Sequence, residues 1–247
     1  MKKKCLILTA AAALFAANIL SGKAVTVPGK DEAQIFQPLV GMETLLSPHQ
    51  NIAGNRGSAA SEAAEDNSWP LILVNRQNPI PADYEVTLTE LDNGHAVDSR
   101  IYPYLQEMFD AARADGIYPA ISSSYRTHEA QQAEMDEKIN EYRSQGYSDE
   151  ESRRMALEWV ALPGTSEHEL GLAVDITTAD WEQQGAQIVW QWLNDNSYRF
   201  GFIQRYPENK TDITGIAHEA WHYRYVGCEA AEKIYESGLC LEEYLAA

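Results

Sequence analysis

His168 and Asp175 stand seven positions apart, and the residues between them include Gly171 and Ala173. Neutral imidazole and carboxylate are both good zinc ligands, so a metal centre is the first chemistry this spacing suggests. From Leu172 the chain alternates: Leu172, Val174 and Ile176 point one way, Ala173 and Asp175 the other. That is the period of a strand with one face in a core and one face lining a cavity. Ala173 leaves room beside Asp175, and Gly171 lets the backbone turn between His168 and the strand.

A second candidate is His218-Glu219-Ala220-Trp221-His222, which spells H-E-x-x-H. On a helix the two histidines would share a face and hold zinc while the glutamate polarises water, with Glu242 downstream as a third ligand. The flanking residues argue for extended backbone instead, because Tyr223, Tyr225 and Val226 are strand formers. On a strand, His222 and Arg224 share a face, Glu219 sits in the entering turn, and His218 is incidental. The ligand set is then His168, Asp175 and His222, with one position left for water, the arrangement of catalytic rather than structural zinc. Glu219 is placed to act as general base on that water as it attacks a carbonyl, and then to pass the proton to a departing amine.

These groups must be held by a folded domain. The chain has 247 residues, 45% of them hydrophobic, enough for one sizeable core with appendages. Its formal net charge of -18 argues against nucleic acid as a partner, since phosphate binding needs clustered Lys and Arg. Lys2, Lys3 and Lys4 precede an uncharged, Ala- and Leu-rich run from Cys5 to Leu20. This reads as a secretory signal with cleavage after Ala24, or as a membrane anchor through residues 5–20. Residues 25–68 lack periodicity and read as a flexible linker, leaving residues 69–247 as the catalytic domain. An exported, extracytoplasmic monomer is expected. Cys228 and Cys240 would then lie in an oxidising compartment, where they either form a disulfide or stay as two buried free thiols.

Within residues 69–247, Leu71–Val74 reads as a short strand, followed by an extended arm through Pro79 and Pro81. Ser99 reads as the N-cap of a helix to about Asp115, and residues 117–122 as a strand. Thr127 and Ser148 read as caps of two further helices, the second running to about Val160. Residues 186–196 carry helical spacing, residues 200–203 read as a strand, and two short helices from about Glu229 and Leu241 close the chain. Strands and helices mix without strict alternation, so the fold class is α+β, with a small, mainly antiparallel central sheet flanked by helices.

Ser166-x-His168-x-x-Gly171-x-Ala173-x-Asp175, taken with Glu219-x-Trp221-His222, resembles the VanY-like D-alanyl-D-alanine carboxypeptidases. These are zinc peptidases of bacterial cell walls that share a fold with the amino-terminal domain of hedgehog proteins. The resemblance extends from about Leu71 to Leu245. It includes Val74 to Pro81, Tyr125-Arg126 followed by Gln131, and Arg224 to Gly227. Ser124 stands where Gly is usual and Ala220 where Pro is usual; neither change removes a chemical group. The resemblance implies zinc on His168, Asp175 and His222, Glu219 as general base, and Arg126 meeting the substrate near the scissile bond. Ser166, Gln131 and Trp221 are implied as further substrate contacts. The implied reaction is release of the C-terminal D-alanine from peptidoglycan stem peptides. An LD-carboxypeptidase acting on tetrapeptide stems and a zinc-containing wall-binding module without hydrolysis are the rival readings.

Overall fold

The structure, a computed structural model, describes residues 68–247. The signal or anchor expected before Ala24 and the linker expected up to residue 67 lie outside the described residues. Among the described residues, no helix is long and apolar enough to cross a membrane.

A hairpin of β1 (Leu88–Glu90) and β2 (Ala96–Asp98) precedes helix α1 (Tyr102–Ala114). Strand β3 (Pro119–Ser123) follows, then a helical pair, α2 (His128–Ser144) and α3 (Asp149–Ala156). After a single 3-10 turn (Glu167–Leu170) the chain enters β4 (Ala173–Thr178), helix α4 (Ala186–Asn196) and β5 (Phe202–Gln204). A short helix, α5 (Thr211–Thr214), leads to β6 (His222–Tyr225), and α6 (Cys228–Ser237) and α7 (Leu241–Ala246) close the chain. The four longer-range strands form one antiparallel sheet in the order β3-β4-β6-β5.

The alternation in β4 sets the layers. Leu172, Val174 and Ile176 are fully buried in the main core with Leu105 and Met108 of α1 and Val189 and Leu193 of α4. Tyr223 and Tyr225 of β6 join the same cluster, so His222 and Arg224 point to the opposite face. A second cluster seals β5 against α6 and α7 through Ile203, Ala231, Ile234 and Leu241. A third, built from Met135, Ile139, Ala156 and Val160, holds α2 against α3.

Several local expectations need correcting. Leu71–Val74 is not a strand: Trp69–Leu71 is a 3-10 turn. The carbonyls of Pro70 and Ile72 accept from Arg224 Nη2 at 3.0 and 2.9 Å, so a buried side chain takes the place of a ladder partner. Ser99 does not cap α1, whose N-cap is Ile101 with a proline in the first turn; the Ser99 hydroxyl instead accepts from Thr89. Helix α3 stops at Ala156, short of Val160. Phe200 lies in a 3-10 turn ahead of β5 rather than in the strand. Cys228 and Cys240 are free thiols, the first exposed at the start of α6 and the second buried at the cap of α7. The caps at Thr127 and Ser148 do form, the latter as a reciprocal capping box with Glu151.

Gly171 ends the 3-10 turn with φ 72°, and a Cβ there would sit 3.0 Å from the backbone nitrogen of Asp98. Both the left-handed backbone and the close approach require glycine. Gly171→Ala should therefore destabilise the domain by about 1–3 kcal/mol in urea unfolding. Retention of wild-type stability would contradict this account of the turn.

Candidate metal centre

The register of the sheet builds the site. Asp175 on β4 lies directly opposite His222 on β6 and, on its other side, opposite Ser123 of β3. A bulge between Ile121 and Ser123 adjusts that last pairing. His168 arrives from the 3-10 turn, where the Ser166 hydroxyl accepts from its backbone N–H. The two imidazole rings meet edge-on, with centroids 4.9 Å apart and planes at 86°. All three side chains are buried.

Their donor atoms suit a metal ion. His168 Nδ1 lies 2.8 Å from the Ser124 carbonyl, which can only accept, so the ring donates there and its Nε2 carries the lone pair. His222 shows the mirror arrangement: Nε2 faces Glu167 Oε2 at 3.4 Å, while Nδ1 lies 3.0 Å from Asp175 Oδ1. His168 Nε2 is 3.4 Å from Asp175 Oδ2, and the three ligand atoms all lie within 4.8 Å of one another. Tetrahedral zinc with bonds near 2.1 Å needs donor separations of about 3.4 Å. The set fits.

The electrostatics agree. Burial works against a charged His222, yet its contacts with Asp175 and Glu167 outweigh burial and hold it up at about 9. Burial would raise Asp175, but His168 and His222 overrule it and hold the carboxyl well below its usual range. A ring of carboxylates drawing a positive charge inward is the environment a divalent cation occupies. Burial, reinforced by Asp175, pushes Glu219 up to about 8 against the opposing pull of His222, Arg126 and Lys138. A cation among the ligands works in the same lowering direction.

Glu219 stands in the turn entering β6, its Oε2 3.8 Å from His222 Nδ1, as the extended reading of H-E-x-x-H requires. His218 points away, its Nδ1 lying 2.9 Å from the Tyr206 carbonyl, and Glu242 is engaged by Arg205. Neither joins the metal cluster. Arg126 leaves β3 with its Nε and Nη2 donating to Ser123 Oγ, its Nη1 donating to Gln131 Oε1, and its Nη2 3.4 Å from Asp175 Oδ2. Gln131 donates in turn to the Ala161 carbonyl. Trp221 is partly buried, 6.0 Å from the ring of Trp190, and its carbonyl accepts from Ile176. His168, Asp175 and His222 thus lie together with Glu219, Arg126 and Gln131 around them, while Ser166 caps the turn and the Trp221 ring packs against Trp190 of α4.

Sequence reasoning overlooked a layer behind the ligands. Glu167 supports His222, and Arg205 and Arg224 hold Glu167 at 2.8 Å each. Tyr206 packs its ring 4.9 Å from that of His222, the two planes tilted by 41°. Ser124, noted only as a departure from the family pattern, supplies the carbonyl for His168. The available signal was charge close to strand-forming residues, Arg205 just after Phe202 and Ile203 and Arg224 between Tyr223 and Tyr225, with Glu167 directly preceding a ligand.

Comparison with known proteins bears on this geometry. The family model VanY, described as D-alanyl-D-alanine carboxypeptidase, matches residues 94–228. A D-alanyl-D-alanine carboxypeptidase of Enterococcus faecalis is 59% identical over 196 residues, covering 79% of this chain and 73% of that protein. The solved structure of VanYB in complex with D-alanine-D-alanine has 61% identity and a TM-score of 0.71, covering 72% of this chain and 98% of that one. A mutant of the vancomycin resistance D,D-pentapeptidase VanY, from a VanB-type resistance cassette and in complex with Zn(II), has 62% identity and a TM-score of 0.70. It aligns with 72% of this chain and 99% of its own.

Substitution separates the two ligand sets. Asp175→Ala should lose stoichiometric zinc, whereas His218→Ala should keep it, as measured by metal analysis of purified protein. Zinc lost from His218→Ala and kept by Asp175→Ala would restore the helical H-E-x-x-H reading.

Proposed function

The chain belongs to the VanY family of D-alanyl-D-alanine carboxypeptidases, and from that premise we infer that it is a zinc-dependent carboxypeptidase removing the C-terminal D-alanine from peptidoglycan stem peptides. Its α+β architecture is the hedgehog/DD-peptidase-like fold of that family. The observation that carries the reading is a complete set gathered at one place: three ligands, a buried carboxyl beside them, and a guanidinium 3.4 Å from Asp175.

His168, Asp175 and His222 are the residues that would hold the metal. Bound there, zinc supplies a Lewis acid for the scissile carbonyl and acidifies water at neutral pH. The Glu219 carboxylate takes the proton from the attacking water as the new C–O bond forms. When the C–N bond breaks, Glu219 returns that proton to the departing amine of D-alanine. Arg126 is held by Ser123 and Gln131, so its planar fork is oriented before substrate arrives. It meets either the terminal carboxylate of the stem peptide or the charge developing on the carbonyl oxygen. Ser166 and Gln131 hold the turn and the arginine, and Trp221 shapes the wall beside Glu219.

The DD reading rests on the relative at 59% identity, a D-alanyl-D-alanine carboxypeptidase. Export belongs to the same proposal, supported by the basic residues and apolar run before Ala24: the substrate lies outside the cytoplasmic membrane, with the chain either released or anchored through residues 5–20. A monomer is proposed as the working unit, since one chain carries the whole site.

Replacing Glu219 by Ala should lower turnover on a pentapeptide stem by about 10²–10⁴-fold while zinc stays bound. Turnover near the wild-type rate would remove Glu219 from the mechanism. Assays on defined pentapeptide and tetrapeptide stems, with and without a chelator, should show metal-dependent release of D-alanine from the pentapeptide. Preferential release from the tetrapeptide would turn the assignment to the LD reaction.

A further inference from the structure

We propose that Glu167 is a positioning residue for the metal ligand His222, fixing the tautomer of its ring from behind while two buried arginines fix Glu167 itself. The inference rests on the reading that His168, Asp175 and His222 hold zinc. It assigns work to a carboxylate that sits beside a ligand in sequence and behind a different ligand in space.

Glu167, Arg205 and Arg224 have side chains with no solvent exposure. One carboxylate oxygen, Oε1, accepts from Arg205 Nε and from Arg224 Nη1, both at 2.8 Å. Both lone-pair directions of that oxygen are occupied. The other oxygen, Oε2, faces His222 Nε2 at 3.4 Å. The arginines cannot easily give way. Arg205 forms a bidentate pair with Glu242 of α7 at 2.9 and 2.7 Å, and Arg224 donates to the carbonyls of Pro70, Ile72 and Tyr225. With the carboxylate clamped, its orientation toward His222 is set by the fold.

Guanidinium groups only donate, so a carboxylate clamped between two of them at 2.8 Å is held as an acceptor. It therefore only accepts, and the imidazole must donate from Nε2. That leaves the Nδ1 lone pair facing Asp175 and Glu219, where the metal belongs. His168 receives the equivalent service from a neutral carbonyl, that of Ser124. The carboxylate does more, because its negative charge also makes the ring a better donor to a cation.

A merely structural ion cluster makes a different prediction from a tautomer lock, and Glu167→Gln separates them. The amide keeps the size of the side chain. Its oxygen turns toward the two arginines, which only donate, so its NH2 faces His222 Nε2 and forces the proton onto Nδ1. Zinc affinity, measured by competition with a chelator, should fall about 10–100-fold relative to wild type. Glu242→Gln disturbs Arg205 but leaves the contact between Glu167 and His222 in place, so it should lower thermal stability with zinc affinity unchanged. A folded Glu167→Gln protein that binds zinc as tightly as wild type overturns the inference. Should that variant fail to fold, nitrogen-15 shifts of the His222 ring in the zinc-loaded wild-type protein decide the matter. A proton on Nε2 supports the lock, and a proton on Nδ1 overturns it. Wild-type protein that takes up no zinc would instead overturn the metal reading on which the inference stands.

Discussion

The buried meeting of Glu167 with Arg205 and Arg224 is the constraint on which the rest of the structure depends. Three ions without solvent exposure are tolerable only with near-complete pairing, because desolvation costs several kcal/mol per ion and stranding one partner costs about 3–5 kcal/mol. The partners come from distant parts of the chain. Glu167 belongs to the 3-10 turn, Arg205 follows β5, Arg224 lies in β6, Glu242 belongs to α7, and the accepting carbonyls of Pro70 and Ile72 precede β1. One cluster therefore ties the amino-terminal arm and the last helix to the turn that presents His168. An apolar cluster could cement the same elements, but it could not orient an imidazole.

In front of that cluster the β-sheet register does the positioning. A strand places successive side chains on opposite faces, so Asp175 can face the site only if Val174 and Ile176 face the core. A slip of one residue between β4 and β6 would separate Asp175 from His222 and expose the apolar set, so core and site enforce each other. The ligands sit on sheet and turn rather than on long loops, which favours a preformed geometry. Burial also withdraws water from the Glu219 carboxylate, and that loss of solvation pushes it toward its neutral form.

What could be read from the sequence was local. The alternation through Leu172 to Ile176, the caps at Thr127 and Ser148, and the helix of residues 186–196 all depend on neighbours a few positions away, and all form as read. The failures arise where a distant side chain decides the backbone. Leu71–Val74 has the composition of a strand, yet Arg224, more than 150 positions later, claims the carbonyls of this segment. Glu167 stands between Ser166 and His168, and nothing nearby in the sequence shows that two arginines converge on it. For Cys228 and Cys240 the sequence offers only the compartment to argue from, and no local pattern reports that one lies exposed at a helix start while the other is buried at the cap of α7.

The fate of H-E-x-x-H shows why a motif needs its geometry. On a helix, residues four apart rise about 6 Å along the axis on nearly the same face, close enough to share an ion. In extended backbone the same separation approaches 13 Å. Here the chain turns at Ala220 and Trp221 and enters β6 at His222, so His218 is carried off to the Tyr206 carbonyl. His222 instead finds its partner across the sheet in Asp175, 47 positions earlier. Glu219 remains near the ligands because the turn folds it back, with its own carbonyl accepting from the His222 N–H at 3.4 Å. Five letters that would make a zinc site on a helix supply, on a turn and strand, one ligand and one base. The decisive information lies in the backbone preference of Tyr223, Tyr225 and Val226, residues with no part in the chemistry.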